Sequence, residues 1–79
     1  MNLNNMVCNL LKDYMSDITK WMATKTEVRI TIPDVCTPSK LMLERTLHSS
    51  EIVDFKAVYD LNDPNYITYK IRRSKWQEL

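Results

Sequence analysis

The chain has 79 residues, 44% of them apolar, with two cysteines, no glycine and a formal net charge of +1. That length suits one small domain over residues 1–79, burying about 60–65% of its unfolded surface, and the apolar and aromatic content excludes a disordered chain. Without glycine, the phosphate loops of Walker A and dinucleotide-binding type are excluded, since their backbone must approach a phosphate with no Cβ in the way.

Any position needing positive φ would fall to Asn or Asp. Cys8 and Cys36 are far apart and lack CxxC spacing, so they define neither a disulfide framework nor a redox pair. Lys12, Asp13, Asp17 and Lys20 interrupt the N-terminal stretch, which rules it out as a signal-peptide core or a membrane span. A reduced, cytoplasmic setting without a membrane is expected.

From the N-terminus, apolar residues fall at 3, 6, 7, 10, 11, 14, 15, 18, 21 and 22. This spacing predicts one long amphipathic helix of about twenty residues, roughly 30 Å, capped by Asn2 or Asn4. Asn9, Lys12, Asp13, Ser16, Asp17 and Lys20 form its polar face. "TEVRITIPD" then alternates, with Val28, Ile30 and Ile32 opposed to Glu27, Arg29 and Thr31, which predicts a half-buried strand ended by Pro33.

In "CTPSKLMLERTLHSS", Thr37 and Pro38 form an N-cap and first-turn pair, and Leu43 and Leu47 lie four apart. A short helix over 38–48 is favoured over a strand, although Leu41, Leu43 and Leu47 also alternate. "EIVDFKAVYDLNDPNYITYKIRR" predicts a hairpin. Val53, Phe55, Ala57, Tyr59 and Leu61 would share the face of Ile67, Tyr69 and Ile71, with a type I turn at "NDPN". Matching apolar faces demand an odd loop. A three-residue loop sets Asp54 opposite Arg72 and Lys56 opposite Lys70, and is preferred because it compensates Arg72. The fold expected is α+β, in the order α-β-α-β-β, with the long helix packed on a three-stranded, mostly antiparallel sheet.

Charge is unevenly spread. Residues 50–65 carry Glu51, Asp54, Asp60 and Asp63 against Lys56, and residues 66–79 carry Lys70, Arg72, Arg73 and Lys75 against Glu78. An acidic and a basic strand would neutralise each other across the hairpin.

No enzyme hardware stands out. His48, the lone histidine, is not at ligand spacing from either cysteine, so neither a zinc site nor a Cys–His nucleophile is expected. Asp54 and Asp60 lie six residues apart on a strand, about 20 Å, too far for joint acid–base work. A winged-helix reading would need residues 50–60 as a recognition helix, but their acidic residues would repel phosphate. No metal or cofactor is expected.

What remains are surfaces. Met6, Met15, Met22 and Met42 could adapt to a partner, and an overhanging stripe on the first helix could form a homodimer. Tyr66, Lys70 and Arg72 share the outer sheet face, Arg29 can join from the first strand, and Arg73, Lys75 and Trp76 extend the patch. Basic residues beside aromatics suit single-stranded RNA or DNA, although Lys and Arg also guard sheet edges. The expected function is a small non-enzymatic protein that docks on a protein partner, of a kind suited to a phage or viral inhibitor of a host factor. An RNA- or ssDNA-binding module and a homo-oligomeric assembly subunit are the alternatives.

Overall fold

The structure is a computed structural model and describes residues 2–74. Helix α1 runs Leu3–Leu11, and the Asn2 side chain caps it by accepting from the Asn5 N–H at 2.8 Å. Its buried side chains are Leu3, Met6, Val7 and Leu11, one stripe at helical spacing.

The predicted extension to residue 22 does not form. Lys12–Asp17 tighten into a 3-10 segment, Ile18 turns extended, and Lys20–Ala23 become strand β1. After Leu11 the backbone tightens and turns back to the sheet, with Tyr14 and Ile18 still packed on the core. Pairing with strand β2, Val28–Pro33, satisfies the backbone of residues 20–23 instead. It also lets the Trp21 indole N–H donate back to Asn4 Oδ1 at 2.7 Å.

β1 and β2 form an antiparallel hairpin in which Lys20 faces Thr31 and Ala23 faces Val28. Thr24 closes its loop: its N–H donates to the Glu27 carbonyl at 2.8 Å, and its hydroxyl oxygen accepts from the Glu27 N–H at 3.1 Å.

Helix α2 spans Pro38–Ser49, as the Thr37–Pro38 pair predicts, with the Thr37 hydroxyl accepting from the Lys40 N–H at 3.1 Å. Leu43 and Leu47 are buried whereas Leu41 is exposed, which is the helical pattern and not the alternating one. Strands β3, Val53–Asp60, and β4, Asp63–Arg73, pair antiparallel with Asp54 opposite Arg72 and Lys56 opposite Lys70, the preferred register.

The turn differs from the expectation. Leu61 and Asn62 make it, and Asp63–Asn65 already belong to β4. A register shift next to Tyr59 and Asp60 absorbs the extra residues, and the Asn65 carbonyl accepts from the Asp34 N–H at 2.8 Å. No described residue has positive φ, so the glycine-free chain never meets the cost of a left-handed position among residues 2–74.

The sheet therefore has four strands, in the order β1-β2-β4-β3, all antiparallel, where three were expected. Val28, Ile30, Ile32, Ile67, Tyr69 and Ile71 bury one face beneath both helices, with Leu43 and Leu47 of α2 closing the core above them. The helix layer stops short of the β3–β4 turn. Ala57, Tyr59 and Leu61 share the covered face's parity but stay exposed, Leu61 at 97%. Among the described residues, no helix is long and apolar enough to cross a membrane.

Candidate functional site

With both helices on one side, the opposite face of the sheet is left open, and its composition follows from strand parity. β2 turns Arg29 and Thr31 outwards, β4 turns Thr68, Lys70 and Arg72, and β3 turns Asp54, Lys56 and Val58. β1, absent from the sequence reading, adds Lys20 and Met22.

Register then decides which of these side chains meet. Arg29 lies opposite Lys70, and Lys70 opposite Lys56, so three cations form one row across three strands, with Met22 beside Arg29 at its end. Adjacent strands lie about 4.8 Å apart, which brings these cations close together. In the neighbouring row Lys20 faces Thr31 and Thr31 faces Thr68, the two threonine hydroxyls 3.1 Å apart.

One carboxylate controls the other end of the face. Glu27 is buried and takes Arg29 Nε at 2.7 Å and Arg72 Nε at 3.4 Å. The hydrogen bond from Arg29 holds the Glu27 carboxyl below its usual range, against the opposing effect of burial. Both arginines are thus partly neutralised. Lys20, Lys56 and Lys70 have no carboxylate partner among the described residues.

Shallow clefts flank the basic row. One, about 300 Å³, is lined by Thr19, Lys20, Thr31, Asp63, Tyr66 and Thr68. Another, about 310 Å³, lies between Glu27, Asp54, Phe55, Lys56, Lys70 and Arg72. The face therefore offers ammonium groups, two hydroxyls and one exposed aromatic ring, Tyr66.

Of the residues singled out from the sequence, Arg29, Lys70, Arg72 and Tyr66 are brought to this face, with Tyr66 opposite Pro33. Arg73 is not. It shares the parity of Ile71 and lies on the helix side, where its guanidinium donates to Met6 Sδ at 3.3 Å. Lys75 and Trp76 lie outside the described residues. The sequence places Lys56 opposite Lys70 without marking it as a contact residue, and its helical spacing puts Lys20 on the first helix. The polar run Thr24–Thr26 between "KWMA" and "VRIT" was the hairpin signal that could have revealed β1.

The methionines divide. Met6 is buried in the core, while Met15, Met22 and Met42 are exposed. The stripe Leu3, Met6, Val7 and Leu11 of α1 is buried in the core, whereas Leu10 is half-buried. His48 lies edge-on to Phe55, with ring centroids 5.6 Å apart.

Compared with protein-family models, with curated proteins and with solved structures, the chain shows no match.

Proposed function

We propose that this is a small non-enzymatic binding protein that docks an acidic macromolecular surface on the open face of its sheet. The observation that carries the reading is the row Arg29–Lys70–Lys56. Like charges directly opposite on neighbouring strands are unfavourable. Glu27 partly neutralises Arg29, but Lys70 and Lys56 oppose each other with no carboxylate partner among the described residues, whereas Asp54 and Arg72 one row away carry opposite signs. A partner carrying negative charge turns that local cost into attraction, and would speed encounter as well.

Tyr66 favours a second reading, in which the acidic macromolecule is single-stranded RNA or DNA. Bases stack on exposed rings while phosphates meet ammonium groups. A single exposed ring on the face makes backbone contacts the main term, so binding would show little sequence preference.

Fluorescence anisotropy separates the two. Labelled single-stranded RNA, ssDNA, duplex DNA and poly-L-glutamate would be titrated at low and physiological salt. The native chain would be compared with an Arg29→Glu/Lys70→Glu variant whose circular dichroism remains native. Binding to polyglutamate that falls with salt and is lost in the variant supports the acidic-protein reading. Binding to single strands alone, with a log–log salt slope of about −0.7 per phosphate met, selects the nucleic-acid reading. If no polyanion binds at low salt, or the variant binds as well as the native chain, the open face is not the docking site.

A further inference from the structure

β3 is an edge strand of eight residues, and no strand among the described residues pairs with its outer side. Alternate N–H and C=O groups along that edge are therefore presented to solvent, a template for another strand. Asp54 and Lys56 are exposed on the open face and Ala57 on the helix face, while Val53 is buried and Phe55 half-buried beneath the helix layer.

We infer that β3 pairs antiparallel with β3 of a second copy about a two-fold axis at Phe55, joining two four-stranded sheets into one of eight. The argument is the self-complementarity of its side chains in that register alone. With the axis at Phe55, Asp54 meets the partner's Lys56 and Lys56 meets the partner's Asp54. Phe55 meets the partner's Phe55, and Val53 meets the partner's Ala57. Just beyond the strand, half-buried Ile52 meets the partner's Val58. Every pair from Ile52 to Val58 is apolar on apolar or cation on anion, and each such pair contributes to strand association.

Neighbouring registers fail. Moving the axis to Lys56 sets Lys56 against the partner's Lys56, and moving it to Asp54 sets carboxylate against carboxylate. An axis at Ala57 places Lys56 against the partner's Val58. Axes between residues oppose Phe55 to the partner's Lys56 or Asp54 and would put the helices of the two copies on opposite faces.

The two-fold contact closes on itself, so it yields a dimer and not a fibre. It also gives Lys56, which faces Lys70 within its own chain, the carboxylate that the monomer does not supply. Arg29 and Lys70 lie on inner strands and remain open, while Lys56, which the docking row also uses, is engaged across the axis.

The test is sedimentation equilibrium of the full chain over a wide concentration range, at low and physiological salt. The native chain should pass from one to two chains per particle. Asp54→Lys and Lys56→Asp each replace two attractions by two repulsions and should weaken dimerisation by roughly tenfold or more. The double variant Asp54→Lys/Lys56→Asp restores opposite charges across the axis and should recover most of the native affinity. A chain that stays monomeric throughout overturns the inference, as does a dimer indifferent to both single variants, or a natively folded double variant without recovery. Amide hydrogen exchange on the native chain needs no variant. Protection should rise with concentration along Val53–Ala57 and not along β1, and the reverse pattern would also overturn the inference.

Discussion

Glu27 keeps its charge just before β2 although only 7% of its surface is exposed, because Arg29 and Arg72 both reach it. Its folded carboxyl titrates below the ordinary 4.5. A lowered carboxylate pKa stabilises the fold above the unfolded value, and that contribution is lost as pH falls through the folded one. The native chain should therefore lose more stability between pH 7 and pH 3 than Glu27→Gln does, read as the change in urea midpoint. Equal losses would mean that the two arginines contribute nothing through this carboxylate. Tyr69 behaves oppositely. It is 1% exposed, its hydroxyl donates to Glu44, and burial followed by that carboxylate pushes its pKa far above the usual 10. The stability tied to its neutral form is complete below pH 10 and is lost as pH rises towards the folded value. In an alkaline absorbance titration of the four tyrosines, Tyr69 should ionise only as the chain unfolds. A tyrosinate signal that is complete while circular dichroism stays native would contradict its burial.

α2 could be located from the sequence because its start is written in adjacent residues: Thr37 caps, Pro38 fits the first turn, and Leu43 and Leu47 face inwards. Thr37→Ala removes the acceptor for the Lys40 N–H and should cost about 1 kcal/mol, lowering Tm by roughly 4–8 °C in a domain this small. An unchanged Tm would show that another group takes over the cap. The end of α1 carried no such local mark. Tyr14 and Ile18 continue the helical spacing and pack on the core, yet the backbone tightens after Leu11 and then extends. Asp17 accepts from the Ser39 hydroxyl, and Thr19 donates its N–H to the Thr31 carbonyl at 2.8 Å. Both partners are distant in sequence, so apolar spacing alone could not reveal the stop. The β3–β4 register was legible, because parity and charge leave few pairings. Its turn was not, since Asp63 and Pro64 read equally well as a turn or as the start of a strand.

Across the molecule, order should follow the helix layer. β2 and β4 are flanked by strands on both sides, and their inward residues Ile30, Tyr69 and Ile71 are essentially buried. Amides of these strands should exchange slowest, near the global unfolding limit, while those of β1 and of the turn around Leu61 exchange by local opening. Uniform exchange would mean that the sheet opens only as a unit. The candidate face was half legible on the same grounds. Arg29, Lys70 and Arg72 could be assigned to one face from alternation, whereas Arg73, expected to extend the patch, falls on the helix side with Ile71. Lys20 and Met22 could not be found, because they join the face only if residues 20–23 form a strand.

The sequence by itself determined which residues of β2, β3 and β4 share a face, the Thr37 cap of α2 and the pairing of Asp54 with Arg72, and it narrowed the cap of α1 to Asn2 or Asn4. These depend on residue-by-residue alternation, capping chemistry and the charge of directly opposed positions, all of them short-range. The tertiary structure decided where the first helix stops, that a fourth strand exists, and that both helices crowd onto one face and leave the basic row uncovered. Those outcomes depend on which backbone groups still need partners, and only the assembled chain defines that.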